Sequence, residues 1–334
     1  MTTEDIIIHI FCLVDELIPA IMKHPQAKLY PSELVTIGIL FALRGSHFRA
    51  FYRWLKRDYD RLFGGLPDRT RLLRLLRTHQ DWCDALLEEP TFFTVVDSFP
   101  VELIFPIREG RSKQQIGRRS KDKGRWSIGV KLCWMINDLG RVVAWKWLPM
   151  NAHDRQFNDE IEKLNGQTIS LSDLGFRCAD GVPENLKLCE KNTWNERMIV
   201  ETVFSLLTVV CDMKKIFHRL ADYIEARFAY VAAMFNILLS LFHQLYPDLS
   251  AHKISIAEIR CQERQVSSER VVLASRRGQE VGCKGVSQVL HGVNMTYAAV
   301  LGSPQAFAPA LWKVAVEQDI PDADESSVTA DGAE

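Results

Sequence analysis

The hydrophobic periodicity of this chain changes once, at Glu88-Glu89-Pro90, and that change sets its fold class. Before it, apolar residues recur at helical spacing through EDIIIHIFCLVDELIPAIMK, PSELVTIGILFALRG and the run from Arg69 to Leu87, with Pro31 at a first-turn position. Residues 4–87 are therefore expected to be helical. After it come short β-rich runs. TFFTVVD (91–97) reads as a strand, RWSIGVKLCWMIN (125–137) and GRVVAWKWLPM (140–150) as a hairpin around Asp138-Leu139-Gly140, and TISLSD (168–173) as a further strand. An amphipathic helix is expected near 154–164, a long helix from Asn195 to Arg219, and an apolar helix over 219–246 that Pro247 ends. The result is an α/β layout, a mixed sheet flanked by helices with a helical N-terminal region. Ligands in such sheets bind at strand ends.

Acids fall at the places where ligands bind. Asp97 and Asp173 each end an apolar strand, and Glu201 sits inside the apolar run of the later helix, one turn after Arg197. An intrahelical Arg197–Glu201 pair explains that glutamate taken alone, since an unpaired buried charge is costly. If the two strands are neighbours, three carboxylates converge on one sheet edge. Hard oxygen donors of this kind suit two Mg²⁺ or Mn²⁺ ions about 3.5–4 Å apart, which activate a water or hydroxyl for in-line attack on phosphorus. His153-Asp154 lacks a serine or cysteine nucleophile. Asp154 is expected to cap the following helix or to compete with Asp173 for metal, and His153 to orient a substrate phosphate. Lys131 and Lys146 alternate with apolar residues and are expected to face solvent, and Trp134 to be packed.

Charge is unevenly distributed. The last eighteen residues hold seven acids and no Lys or Arg against a whole-chain charge of −1, leaving +6 on residues 1–316. Basic residues cluster twice. Residues 108–125 carry eight Lys or Arg, including Arg118, Arg119, Lys121, Lys123 and Arg125, and read as a flexible loop able to neutralise phosphates. Residues 46–79 mix Arg53, Lys56 and Arg57 with aromatics, which suits either phosphate contact with base stacking or a solvated face over a core. The eight cysteines are dispersed without a CxxC pair, the N-terminus lacks a basic start, and the best apolar run, 229–242, is too short to cross a bilayer, so a cytoplasmic protein is expected.

VVDSFP, SIGVKLCWMINDLGRVVAW, NAHDRQF, LSDLGF and WNERMIVETVFSLL, in that order, resemble the successive blocks of the DDE transposases of bacterial insertion sequences. The resemblance spans roughly residues 30–260 and implies an RNase H-like catalytic domain over 91–250 behind a helical DNA-binding region over 1–90. It leaves 251–316 as a weakly structured extension and 317–334 as an acidic disordered tail. It implies that Asp97, Asp173 and Glu201 bind the two metal ions, that Arg197 supports the glutamate, that His153 and Asp154 take supporting positions, and that the activity is strand cleavage and transfer on double-stranded DNA by a homodimer. Two departures stand out: Leu174 and Phe176 replace the usual Lys and Tyr of the second block, and Thr208 stands where the helix signature carries lysine. Lys214, Lys215 and Arg219, further along, are the candidates to replace that contact. A transposase-derived DNA-binding protein without catalysis is the alternative.

Overall fold

The computed structural model describes residues 2–256 apart from 20–21, 46, 123, 180, 190–197, 251 and 254–255. The chain divides into two units, Met1–Glu263 and Arg264–Glu334, and every described residue belongs to the first. The expected extension and acidic tail lie outside the described residues, apart from His252, Lys253 and Ile256.

Four helices come first: α1 (Thr3–Leu17), α2 (Pro31–Arg44), α3 (Phe48–Asp58) and α4 (Arg69–Thr78). Local chemistry fixes their ends. Thr2 and Asp5 form a reciprocal capping box on α1, Pro31 opens α2 and Gly45 at φ 61° closes it, and Asp68 accepts from the backbone N–H groups of Thr70 and Arg71. The helix expected over 69–87 stops at Thr78 and gives way to a 3₁₀ stretch, Gln80–Leu86.

The sheet contains β1 (Phe93–Ile104), β2 (Arg118–Asp122), β3 (Arg125–Asn137), β4 (Val142–Pro149), β5 (Ile169–Ser172) and β6 (Leu186–Leu188), with α5 (Asn158–Glu162) between β4 and β5. Its order is β2-β3-β1-β5-β6, with β4 also on β3. β2 pairs the first part of β3 and β4 the remainder, both antiparallel, as β1 is on the opposite edge. β5 runs parallel to β1, and β6 parallel to β5. The sheet is thus mixed. α6 (Met198–Val209) and α7 (Ala221–Leu245) follow.

Alternation along β1 and β3 sorts side chains between two faces. Val95, Val101, Leu132, Trp134 and Ile136 join α6, α7 and the N-terminal helices in one apolar core, where Trp134 meets Phe235 at 5.4 Å. Val96, Cys133 and Met135 pack the other face against Phe157, Ile161, Phe176 and Leu186. α7 is the pillar of the larger core. It is long and apolar enough to cross a membrane, which corrects the expectation that no apolar segment reaches that length, and 78% of its most apolar window is buried inside this fold. Its buried polar residues act as ties. Arg227 donates to the carbonyls of Phe41, Ala42 and Cys211, and Asn236 donates to Leu86 and Val142 while accepting the Val142 N–H.

Three expectations need correction. The helix expected to reach Arg219 ends at Val209, where the chain passes through Asp212 at φ 52° and then runs beside β1: Glu102 N–H donates to Lys214 O and Ile216 N–H to Glu102 O. β1 does not stop at Asp97 but continues to Ile104. Pro100 is tolerated within it because β5 pairs only with Phe93, Thr94 and Val95, so no ladder donor is required there on that edge. Finally, the basic segment 108–125 is not a loop throughout, since Arg118, Ser120 and Lys121 lie on β2.

Candidate active site

Strand register brings the two aspartates to the same level. Val95 lies opposite Leu171 in the parallel β1–β5 pair, so two residues further on Asp97 and Asp173 occupy matching positions on strands about 4.8 Å apart. Beyond that level β5 has ended, and the edge of β1 next meets a partner at Glu102, where Lys215 bridges it. The carboxylates stand at the start of this gap, and both are half-buried. Asp97 accepts the Ser98 N–H at 2.7 Å, and Asp173 caps the 3₁₀ turn Leu174–Phe176 by accepting the Gly175 N–H at 2.9 Å.

A further acid, from the loop after β4, meets the face of β1 that carries Ser98, opposite to that of Asp97. Asp154 Oδ1 accepts both Ser98 Oγ at 2.8 Å and Lys131 Nζ at 3.0 Å. It is therefore not the helix cap expected of it, and Lys131 is not a solvent-facing lysine. A Cβ on Gly175 would sit 2.9 Å from Asp173 Oδ1 and 3.3 Å from Asp154 Oδ2, so these two carboxylates flank one point and only glycine leaves both in place. Cys133 is close behind. Burial pushes its thiol up, and the negative charges of Asp97, Asp154 and Glu160 push it further.

Glu201 lies on α6, which packs over β1. Val200, Val203 and Leu207 bury the inner face of α6, and Phe204 packs on Phe99 of β1 at 5.4 Å. Phe99 shares a strand face with Asp97, and Glu201 stands one helical turn before Phe204, exposed. Arg197 lies outside the described residues. Among the described residues no three His, Cys, Asp or Glu side chains are gathered closely enough to hold a metal ion. Asp97, Asp173 and Glu201 fit Mg²⁺ or Mn²⁺ by donor chemistry, with two donors in register and the third on an exposed turn of α6.

A groove of about 750 Å³ lies further along β1, lined by Lys121, Arg125, Lys131, Lys214, Thr208 and the acid Glu102 around Phe99; neither Asp97 nor Asp173 lines it. Thr208 and Lys214 thus face one space: the helix break at Val209 returns a lysine to the groove that Thr208 lines. Other candidate cations are placed differently. Arg119 pairs with Glu109 at 2.7 Å and Arg125 with Glu102 at 3.0 Å, while Arg118 and Lys121 are exposed on β2. Lys215 sits 3.9 Å from Glu102 and over the Phe105 ring, and burial pulls its pKa down. Arg53, Lys56 and Arg57 are exposed on α3, Arg57 pairs with Asp58 at 2.8 Å, and none of them lines the groove. The aromatics interleaved with them belong to the core, with Phe51 fully buried and Arg44 lying over Trp54. His153 is exposed, and Lys123 lies outside the described residues.

Ser98, Lys131 and Gly175 are site residues that the sequence pattern missed. Ser98 pairs with Cys133 in the β1–β3 register, and Lys131 is two residues from Cys133 on the same face. Only the register makes that visible. Compared with known protein families, with curated proteins and with solved structures, the chain finds no match.

Proposed function

We propose that this chain is a DNA transposase that cuts and joins DNA strands by metal-dependent phosphoryl transfer. The observation that carries this reading is the register of β1 and β5, which sets Asp97 and Asp173 level on adjacent parallel strands beside an open stretch of sheet edge. The sheet, with antiparallel β1, β3 and β4 followed by β5 and β6 parallel to β1, supports assignment to an RNase H-like domain, and α1–α4 would form the helical DNA-binding region. Asp97, Asp173 and Glu201 would hold two Mg²⁺ or Mn²⁺ ions. When bound, such ions supply Lewis acidity to the scissile phosphate and acidify the attacking water or 3′-hydroxyl.

The chain's own residues do the positioning. Ser98 and Lys131 fix Asp154 beside Asp173, which limits where the Asp173 carboxylate can turn. Lys121, Lys131 and Lys214 hold backbone phosphates in the groove, in a setting less screened than bulk water. Cutting both ends of an element calls for two copies on the DNA.

Asp97→Ala, Asp173→Ala and Glu201→Ala are each expected to lower Mg²⁺-dependent cleavage of duplexes carrying the DNA that flanks the gene by on the order of 10³-fold or more. Duplex binding in a gel shift should stay within about threefold of the parent. Full cleavage by any one variant removes that residue from the site. A second reading, a DNA-binding protein without catalysis, draws on one observation: Asp154, the acid beside Asp173, is already paired with the Lys131 ammonium. Tight duplex binding with no cleavage by the parent protein in either Mg²⁺ or Mn²⁺ would favour it.

A further inference from the structure

A second cavity, of about 310 Å³, opens near the far end of β1 and is lined by Arg108, Arg111, Arg219 and His218 together with Ser112 and Gln114. No Asp or Glu lines it. Among the described residues none of the three guanidinium groups has a carboxylate within ion-pair distance, whereas nearby Arg119 and Arg125 pair with Glu109 and Glu102. All three arginines are exposed, and unpaired guanidinium groups around one open cavity give it a positive potential that favours an anion. His218 adds no positive charge, because burial pulls its pKa to about 4 and leaves the ring neutral at physiological pH.

The walls are built rather than accidental. Gly110, at φ 73°, turns the 108–117 segment back on itself, and Gln115 ties it by accepting the Gly110 N–H at 2.8 Å and donating to Gly117 O at 2.9 Å. Arg219 arrives from the opposite side, on the extended segment that the break after α6 creates. Planar, permanently charged guanidinium groups match phosphate oxygens better than lysines would.

We propose that this cavity binds a phosphate group, and that its occupant is a backbone phosphate of duplex DNA held at a distance from the cleavage centre. The choice of DNA rests on the transposase reading; the phosphate chemistry does not. Leu103, in the cavity wall, is six residues along β1 from Asp97, a span of about 20 Å, which corresponds to roughly six base pairs of duplex rise. A contact there would fix the angle and register of the duplex over the carboxylates.

The test uses the full chain with Arg108→Gln, Arg111→Gln and Arg219→Gln, singly and combined, and the combined Lys replacement as control. Inorganic phosphate should raise the thermal midpoint of the parent protein but not of the combined Gln variant, provided circular dichroism shows both folded. Duplex binding followed over salt should lose about 0.9 from its log–log slope for each phosphate contact removed, with the Lys control retaining most of the slope. If phosphate stabilises the protein through these arginines but the variants leave duplex affinity and slope unchanged, DNA is not the occupant. Cleavage judged by the carboxylate variants is unaffected by that result. If neither phosphate nor duplex responds to the arginines, the cavity is not a phosphate site.

Discussion

Gly175, between the Asp173 and Asp154 carboxylates, has little freedom to change. Its φ is not in the left-handed region, so the constraint is space rather than backbone strain: a methyl group there would press on the Asp173 and Asp154 carboxylates. Those are side-chain ends that can swing away at little cost to the fold. Gly175→Ala is therefore expected to leave the thermal midpoint within a few degrees while lowering Mg²⁺-dependent cleavage by about tenfold or more, as misplaced ligands do. Unchanged cleavage would mean that the position of Asp173 is not critical. At this scale the sequence was informative about identity but not about pairing. The strand-terminal Asp173 and the aspartate of VVDSFP stood out as candidates, whereas Lys131 read as an ordinary strand lysine because its partner, Asp154, is distant in sequence.

Among the elements, the segment after α6 departs most from its sequence pattern. Val210, Cys211, Met213 and Ile216 continue the apolar spacing of the helix, yet they are buried as a turn and an extended run. Burial, not helicity, sustains the periodicity. The N-terminal helices and the β3–β4 hairpin were legible because capping residues, Pro31 and the Asp138-Leu139-Gly140 turn are local signals; β2 was not, because its charged residues read as a loop although it folds straight back on β3, nor was β6, a very short strand whose partner β5 comes well before it. The buried extended segment also carries a pH response. His218 is held at about 4, well below its ordinary value of 6.5, chiefly by burial and then by the positive charge of Arg227 and His47. A depressed histidine pKa means that between pH 6.5 and 4 the unfolded chain binds a proton that the folded chain does not. Stability from this residue is thus intact above that window and falls as the pH drops through it, by on the order of 3 kcal/mol in full. Urea titrations at pH 7 and pH 4.5 should differ by less in His218→Gln than in the parent; equal differences would place the histidine in solvent.

For the whole molecule, the basic groove and the arginine cavity each take residues from β1 and from the segment after α6, so both depend on how the chain returns beside β1 once that helix ends. The net charge of −1 conceals this, because the seven acids from Glu317 onward offset a basic body. The most direct test of a shared metal centre at Asp97 and Asp173 is Mn²⁺ binding measured by electron paramagnetic resonance on the full chain. Asp97→Asn and Asp173→Asn should each weaken Mn²⁺ binding by at least about tenfold, as loss of one charged ligand at a hard-cation site requires. Folded variants that both bind Mn²⁺ as tightly as the parent would contradict it.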